Sequence, residues 1–140
     1  LVLNGPNLAR LDIRDSSIYG DMDYQTLVKT ISARASELGF SADIRQSDDE
    51  ATIIGWVHEA ADKNLPVIIN PAAFTHYSYS IRDAVEMLRS PLIEVHLSNP
   101  LAREEFRHTS VISGVATGTI SGFGPDSYLL ALEALVGILR

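Results

Sequence analysis

Tyr19 and Arg14 share a stretch, Asn4 to Gly20, that reads NGPNLARLDIRDSSIYG. A phenol beside a guanidinium is a route to a base. Phenol titrates near ~10, so poising it near neutrality requires about 3–4 kcal/mol. One close cation lowers an acid by about 1–3 pKa units. Arg14 alone is therefore marginal, and Arg103 or Arg10 is the candidate for a second cation. A tyrosinate formed this way can remove a proton from carbon next to a ketone. A donor such as Asn7 would then stabilise the enolate oxygen, directly or through water. The competing reading is that Tyr19 only packs.

His96 and Glu94 form the second pair. Two residues apart on a strand, they point to the same face. A carboxylate beside imidazole raises its pKa and fixes its tautomer, which suits a general acid giving a proton to a leaving hydroxyl. The same pair could be purely structural. His76, after Asn70-Pro71-Ala72-Ala73-Phe74-Thr75, suits either a bond to a substrate hydroxyl or a helix cap. Arg107 suits either a carboxylate or a solvated face shared with Arg103, Glu104 and Glu105. His58 reads as structural and His108 as surface.

Other chemistries lack their residues. The 4 histidines have no ligand-like spacing, and with no cysteine there is no thiolate, disulfide or Cys-based metal site. Asn4-Gly5-Pro6-Asn7 lacks the glycine spacing and lysine of a phosphate cradle. Lys29 and Lys63, the only lysines, fall on expected helices, so a Schiff base has no candidate. Acid–base chemistry without metal or cofactor survives. A net charge of −7 disfavours nucleic acid and anionic membranes as partners. A few arginines in one cleft can still reverse that sign locally, so a small anionic substrate fits.

The elements that must position these groups follow from periodicity. The 140 residues, 46% hydrophobic and 21% charged, read as one globular domain with a full core. Val2–Asn4, Phe40–Gln46, Pro66–Asn70, Leu92–Leu97 and Thr117–Ser121 read as strands. Helical spacing marks Leu27 to Leu38 (Asp23 as cap, Gly39 as stop), Ile53 to Ala61, Ile81 to Leu88 and Tyr128 to Leu139. Leu101–His108 reads as a short exposed helix and Pro71–Tyr79 as a loop. Strands alternating with helices imply a parallel sheet covered on both faces. Five such units predict an α/β, flavodoxin-like doubly wound sheet of order 2-1-3-4-5. In such sheets the site lies beyond the carboxyl ends of the strands, where Asn4 and Asn7, Asn70, and His96 and Ser98 would converge. Residues 7–20, long for a strand-to-helix connection, read as a lid over that point, with Leu8, Leu11, Ile13 and Ile18 as apolar surface to bury on closing. No apolar run has membrane-spanning length, and the lack of cysteine suits a reducing cytoplasm. The first residue is Leu rather than Met, which leaves room for a preceding segment.

Leu3-Asn4-Gly5-Pro6-Asn7-Leu8, Arg14, Ile18-Tyr19-Gly20, Gln46-Ser47, Asn70-Pro71, Thr75-His76, Ser78, Ile93 to Asn99 and Ala102 to Arg107 together resemble the type II 3-dehydroquinate dehydratases. The likeness runs essentially end to end. It implies a lyase that removes water from 3-dehydroquinate by anti elimination to give 3-dehydroshikimate, in the shikimate or quinate pathway, without cofactor. It also implies a flavodoxin-like subunit assembled as a dodecamer of trimers. By the resemblance, Tyr19 is the base, Arg14 its activator, Asn7 the holder of an enolate-stabilising water, and His96 the proton donor backed by Glu94. Asn70, His76 and Arg107 match substrate-binding positions, as do Leu97 and Ser98, whose backbone amides would hold a carboxylate. Asp83 matches an acid that reaches a neighbouring subunit's site.

Five departures stand out. Asp12 replaces a lid glycine, Asp15-Ser16-Ser17 replaces a Glu-Pro run, and Ala72 replaces a glycine after the third strand. Tyr77 and Tyr79 are bulkier than usual, and Pro125-Asp126-Ser127 precedes Tyr128 where glycine is expected. Asp12 is expected to pair with Arg10 or Arg14 and, in the second case, to compete for the cation Tyr19 needs. The rival reading from another class is a binding or regulatory module of the same fold whose lid only senses a small anion.

Overall fold

The computed structural model describes residues 1–140. Strands β1 (Val2–Asn4), β2 (Ile44–Gln46), β3 (Val67–Asn70), β4 (Leu92–His96) and β5 (Gly118–Ser121) pair in parallel in the order β2-β1-β3-β4-β5. The helices are α1 (Ser16–Tyr19), α2 (Tyr24–Glu37), α3 (Glu50–Lys63), α4 (Tyr79–Val85) and α5 (Asp126–Ile138). The flavodoxin-like order expected from the sequence is the one observed. No helix is long and apolar enough to cross a membrane.

Strand alternation decides the layers. Val2, Ile68, Ile93 and Val95 pack on one face with Leu27, Ile31 and Ala35 of α2 and with Ala131, Leu132 and Leu135 of α5. Leu3, Val67, Ile69 and Leu92 point the other way, onto Ile53, Val57 and Ala60 of α3 and Ile81, Ala84 and Val85 of α4. Side chains with a period of two on the strands thus meet helical stripes on both faces. Burying each such aliphatic side chain contributes about 1.5–3 kcal/mol. Helices α2, α3 and α4 start on side-chain caps: Asp23 accepts from Thr26 N at 2.8 Å, Asp49 from Thr52 N at 3.1 Å and Ser78 from Ile81 N at 3.1 Å. Each cap is worth about 1 kcal/mol.

The structure differs from the sequence reading in three places. Phe40 and Ala42 lie outside β2, which starts at Ile44; they pack on the α2–α5 side instead of extending the ladder. Leu101–His108 is not one helix. It is two 3-10 turns, Pro100–Ala102 and Glu105–His108, with Arg103 extended between them (φ −118°, ψ −162°). Asn99 caps the first turn by accepting from Leu101 N at 3.2 Å, which sets a short turn where a longer helix was expected. The expected loop after β3 contains a 3-10 turn, Ala72–His76.

The segment after β1 is also more anchored than expected. Leu8–Arg10 forms a 3-10 turn, and Leu8 and Leu11 are already in the core, whereas Ile13 stands 70% exposed. Gly5 allows the segment to leave β1 against β3. A Cβ there would lie 2.6 Å from the Pro71 carbonyl oxygen, and Gly5 N donates to Asn70 O at 2.8 Å. Only glycine fits, so the exits of β1 and β3 come together.

Candidate active site

A cleft of about 130 Å³ opens at the carboxyl ends of β1, β3 and β4. The segment after β1 contributes Asn7, Arg14 and Tyr19, and the exit of β3 contributes Asn70 and His76. His96, the last residue of β4, is followed into the lining by Leu97 and Ser98, then by Arg103 and Arg107. The lining contains three arginines and no carboxylate, so the cleft is positive in a chain of net charge −7. A small anion is the ligand such a field selects.

Tyr19 sits at the end of α1, and the departure Asp15-Ser16-Ser17 is what makes that helix. Asp15 caps it by accepting from Ser17 N at 2.9 Å and Ser17 Oγ at 2.6 Å. Gly20 ends it with φ +88°. The phenol oxygen so placed accepts from Arg14, whose guanidinium also lies over the ring at 3.6 Å from its centroid. It accepts as well from Arg103 Nη2 at 2.7 Å. Burial holds the Arg14 guanidinium below its usual pKa; Tyr19 offsets this, while Arg103 and Arg107 add to it. Asp12 does not compete for Arg14: it pairs with Arg10 at 3.1 Å on the exposed surface, removing Arg10 as the second cation. That role falls to Arg103, which sequence reasoning left between two readings.

The opposite wall is fixed by the sheet. Glu94 and His96 share a face as expected, and His96 Nε2 lies 2.5 Å from Glu94 Oε2. The Glu94 side chain is fully buried. Burial pushes its carboxyl up, yet the hydrogen bond and charge of His96, with hydrogen bonds from Ser113 and Thr75, outweigh that and leave it below the usual range. An ionised Glu94 only accepts, so His96 Nε2 carries hydrogen and Nδ1 is the free ring nitrogen. Glu94 itself does not line the cleft.

The remaining groups divide clearly. Asn7 has a left-handed backbone (φ 70°) held by Asp48, whose Oδ1 accepts from Asn7 N at 2.9 Å; its side-chain amide makes no protein hydrogen bond. The amides of Leu97 and Ser98 likewise donate to no protein acceptor. His76 is not a helix cap. Its Nδ1 lies 2.8 Å from Thr109 O, which can only accept, so Nε2 is its free nitrogen. Arg107 pairs with Glu104 at 2.8 Å while lining the cleft. Asn70 donates to the buried Tyr128 hydroxyl at 2.9 Å and accepts from Ala72 N at 3.1 Å. Asn4, expected among the converging groups, is fully buried and accepts from Tyr128 Oη at 2.6 Å instead. Asp83 lies exposed on α4, outside this cleft. His58 is exposed on α3, and the exposed His108 lies with Nε2 3.0 Å from Arg103 O.

The sequence model of the family described as dehydroquinase class II matches residues 1–136. The chain belongs to that family. The 3-dehydroquinate dehydratase of Salinispora tropica is 54% identical over 139 residues, covering 99% of this chain and 97% of the relative. That of Caldicellulosiruptor bescii is 54% identical over 140 residues, with 99% and 97% covered. The crystal structure of type II dehydroquinase from Propionibacterium acnes superposes with a TM-score of 0.95 at 50% identity, covering 97% of this chain and 94% of that one. As a class II dehydroquinase the chain is an enzyme, a lyase of the dehydratase type. The rival reading of a non-catalytic sensor is set aside by this membership.

Proposed function

We propose that the chain dehydrates 3-dehydroquinate, the compound its relatives are named for, to 3-dehydroshikimate by an anti elimination without cofactor or metal. The observation carrying this reading is a phenol oxygen that accepts from two guanidiniums, in the same cleft as an imidazole backed by a buried carboxylate. Tyr19 acts as phenolate, the form that two cationic donors favour. It takes a proton from the carbon next to the ketone, and the electron pair moves onto the ketone oxygen as an enolate. Asn7 holds a water that donates to this oxygen; a single such donor is worth about 3 kcal/mol.

His96 supplies the second proton. Its imidazolium gives hydrogen from Nδ1 to the departing hydroxyl as the enolate collapses and the carbon–oxygen bond breaks. Water leaves, and a double bond conjugated with the ketone forms. Tyr19 then returns its proton to solvent and His96 regains one, so the cycle closes. The unpaired amides of Leu97 and Ser98 hold the substrate carboxylate, and Asn70, His76 and Arg107 bind its oxygens. Of residues 7–20, the part beyond the buried Leu11 works as the lid. Asp83, exposed on α4, reaches a neighbouring subunit's cleft, so the working unit is a trimer within a dodecamer. A cytoplasmic location completes the reading.

Adding 3-dehydroquinate to the purified chain should produce the ultraviolet absorbance of a conjugated enone. No absorbance at millimolar substrate would reject the assigned substrate. Tyr19→Phe should still bind substrate in a calorimetric titration while turnover falls by about 10³-fold or more. Turnover within a few-fold of the parent would remove the phenolate from the mechanism.

A further inference from the structure

The Glu94 side chain is fully buried, and besides His96 its neighbours are the hydroxyls of Thr75, Ser110 and Ser113. Ser113 Oγ donates to Glu94 Oε1 at 2.6 Å. Thr75 Oγ1 lies 2.5 Å from Glu94 Oε2 and also 2.5 Å from Ser110 Oγ. Ser110 Oγ in turn accepts from the backbone amides of Ile112 at 3.1 Å and Ser113 at 3.0 Å. None of the three hydroxyl residues lines the cleft that holds Tyr19.

Counting hydrogens fixes the direction of this chain of groups. A hydroxyl has one hydrogen and two lone pairs. Both lone pairs of Ser110 face amide hydrogens, so its own hydrogen points outward: to Thr75 Oγ1 at 2.5 Å, or to Glu94 Oε1, a longer 3.4 Å away. With the shorter bond made, Thr75 must donate to Glu94. Every group against the carboxylate is then a donor: Ser113, Thr75 and His96 Nε2. A proton on Glu94 would have no acceptor.

We propose that Ser110, Thr75 and Ser113 are positioning residues: a hydroxyl chain, oriented by two backbone amides, that keeps Glu94 a carboxylate and thereby keeps His96 a proton donor. The inference rests on the reading of His96 as the general acid. It assigns a purpose to the serines of the irregular segment after the 3-10 turn Glu105–His108, a segment that also places Ile112 in the core. The other charged or titratable groups lining the spaces on either side of His96 are His76, Arg107 and His108 on one side and Arg14, Tyr19 and Arg103 on the other. None of them hydrogen-bonds to Glu94 or His96. From β5 the facing groups are Thr119 and Ser121, which are neutral.

The test uses the full chain and Thr75→Val, which keeps the shape and removes the hydroxyl. His96 gives its proton only when doubly protonated, so activity is lost as pH rises through its titration. Without the Thr75 hydroxyl the buried Glu94 takes up a proton and becomes neutral, and an imidazole that has lost its anion titrates lower. The ring resonances of His96 should therefore titrate lower in the variant, and the alkaline limb of kcat should move down with them. KM should stay within about twofold, because no substrate contact is lost. Thr75→Ser should restore both, which simple loss of packing would not. If Thr75→Val does not fold, Ser113→Ala carries the same expectation. An unmoved His96 titration in a folded variant overturns the proposal. The titration needs no substrate, so it reads the hydroxyl chain even if the assigned substrate is wrong. A moved titration with an unmoved kcat limb would instead reject His96 as the acid.

Discussion

Tyr19 reaches the cleft from a one-turn helix closed by a glycine, whereas His96 is the last residue of a strand paired on both sides. The phenol oxygen is held by two long cationic side chains, Arg14 and Arg103, from separate irregular segments. The imidazole is held by a carboxylate two residues back, itself surrounded by short hydroxyl side chains. One wall relies on charge carried by flexible arms that move with their segments. The other relies on a buried carboxylate whose donors are short side chains close to the backbone. A site that must open to admit substrate puts its mobility on the first wall and keeps its register on the second.

Removing an arm should do most damage. Arg103→Ala takes away one of the two donors on Tyr19 and should lower kcat by about 10²–10³-fold, with KM changing much less. A loss under tenfold would mean that Arg14 alone suffices. Glu94→Gln breaks the other wall. The amide would present hydrogens to groups that are themselves donors, so kcat should fall about 10²-fold. The chain should also lose about 3 kcal/mol, as expected when one partner of a buried pair is removed. The pH dependence has a definite sign. Glu94 is held below the usual carboxyl range, so its contribution is present above about 4.3, the unfolded value, and is lost as pH falls through the folded one. Urea unfolding of parent and variant should therefore converge in acid. A gap that stays constant down to strongly acid pH would mean Glu94 is not held ionised by the fold.

A smaller effect belongs to the scaffold under both walls. The Tyr128 hydroxyl joins Asn4 at the end of β1 to Asn70 at the end of β3, and burial pushes its pKa up. Tyr128→Phe leaves a buried oxygen and a buried amide unpaired, at about 2 kcal/mol. With Asn70 held only through its bond from Ala72 N, KM should rise a few-fold and kcat should hardly change. An unchanged KM would detach Asn70 from substrate binding.

How much of this was legible depends on whether a residue sat on a periodic element. Strand ends and helix faces repeat, so the sheet order, the Asp23 cap and the shared face of Glu94 and His96 could be read directly. Arg103 could not be resolved, because it lies between two 3-10 turns where no period says which way a side chain points. Ser110 and Ser113 belong to the same kind of segment, and nothing in their spacing tied them to Glu94. Asn4 looked like a site residue because it ends a strand. Its true partner, Tyr128, read only as an apolar helix position, since its hydroxyl leaves no trace in a hydrophobic pattern.

Ala72 supplies the smallest prediction and the sharpest check on the rigid wall. Its φ is +51°, in the left-handed region where a Cβ crowds the carbonyl, at about 1–2 kcal/mol for a residue other than glycine. The conformation is imposed from outside: Ala72 N donates to Asn70 Oδ1, and Asn70 is itself held by Tyr128. Glycine would relieve the crowding but would gain freedom in the unfolded chain, worth about 0.4–1 kcal/mol the other way. Ala72→Gly should therefore stabilise by about 0.5–1 kcal/mol, raising Tm by about 2–3 °C for a chain of this size. A lower Tm would mean that the backbone here relaxes without strain. The Asn70–Tyr128 brace would then hold less tightly than the hydrogen bonds imply, and the contrast between the two walls would narrow.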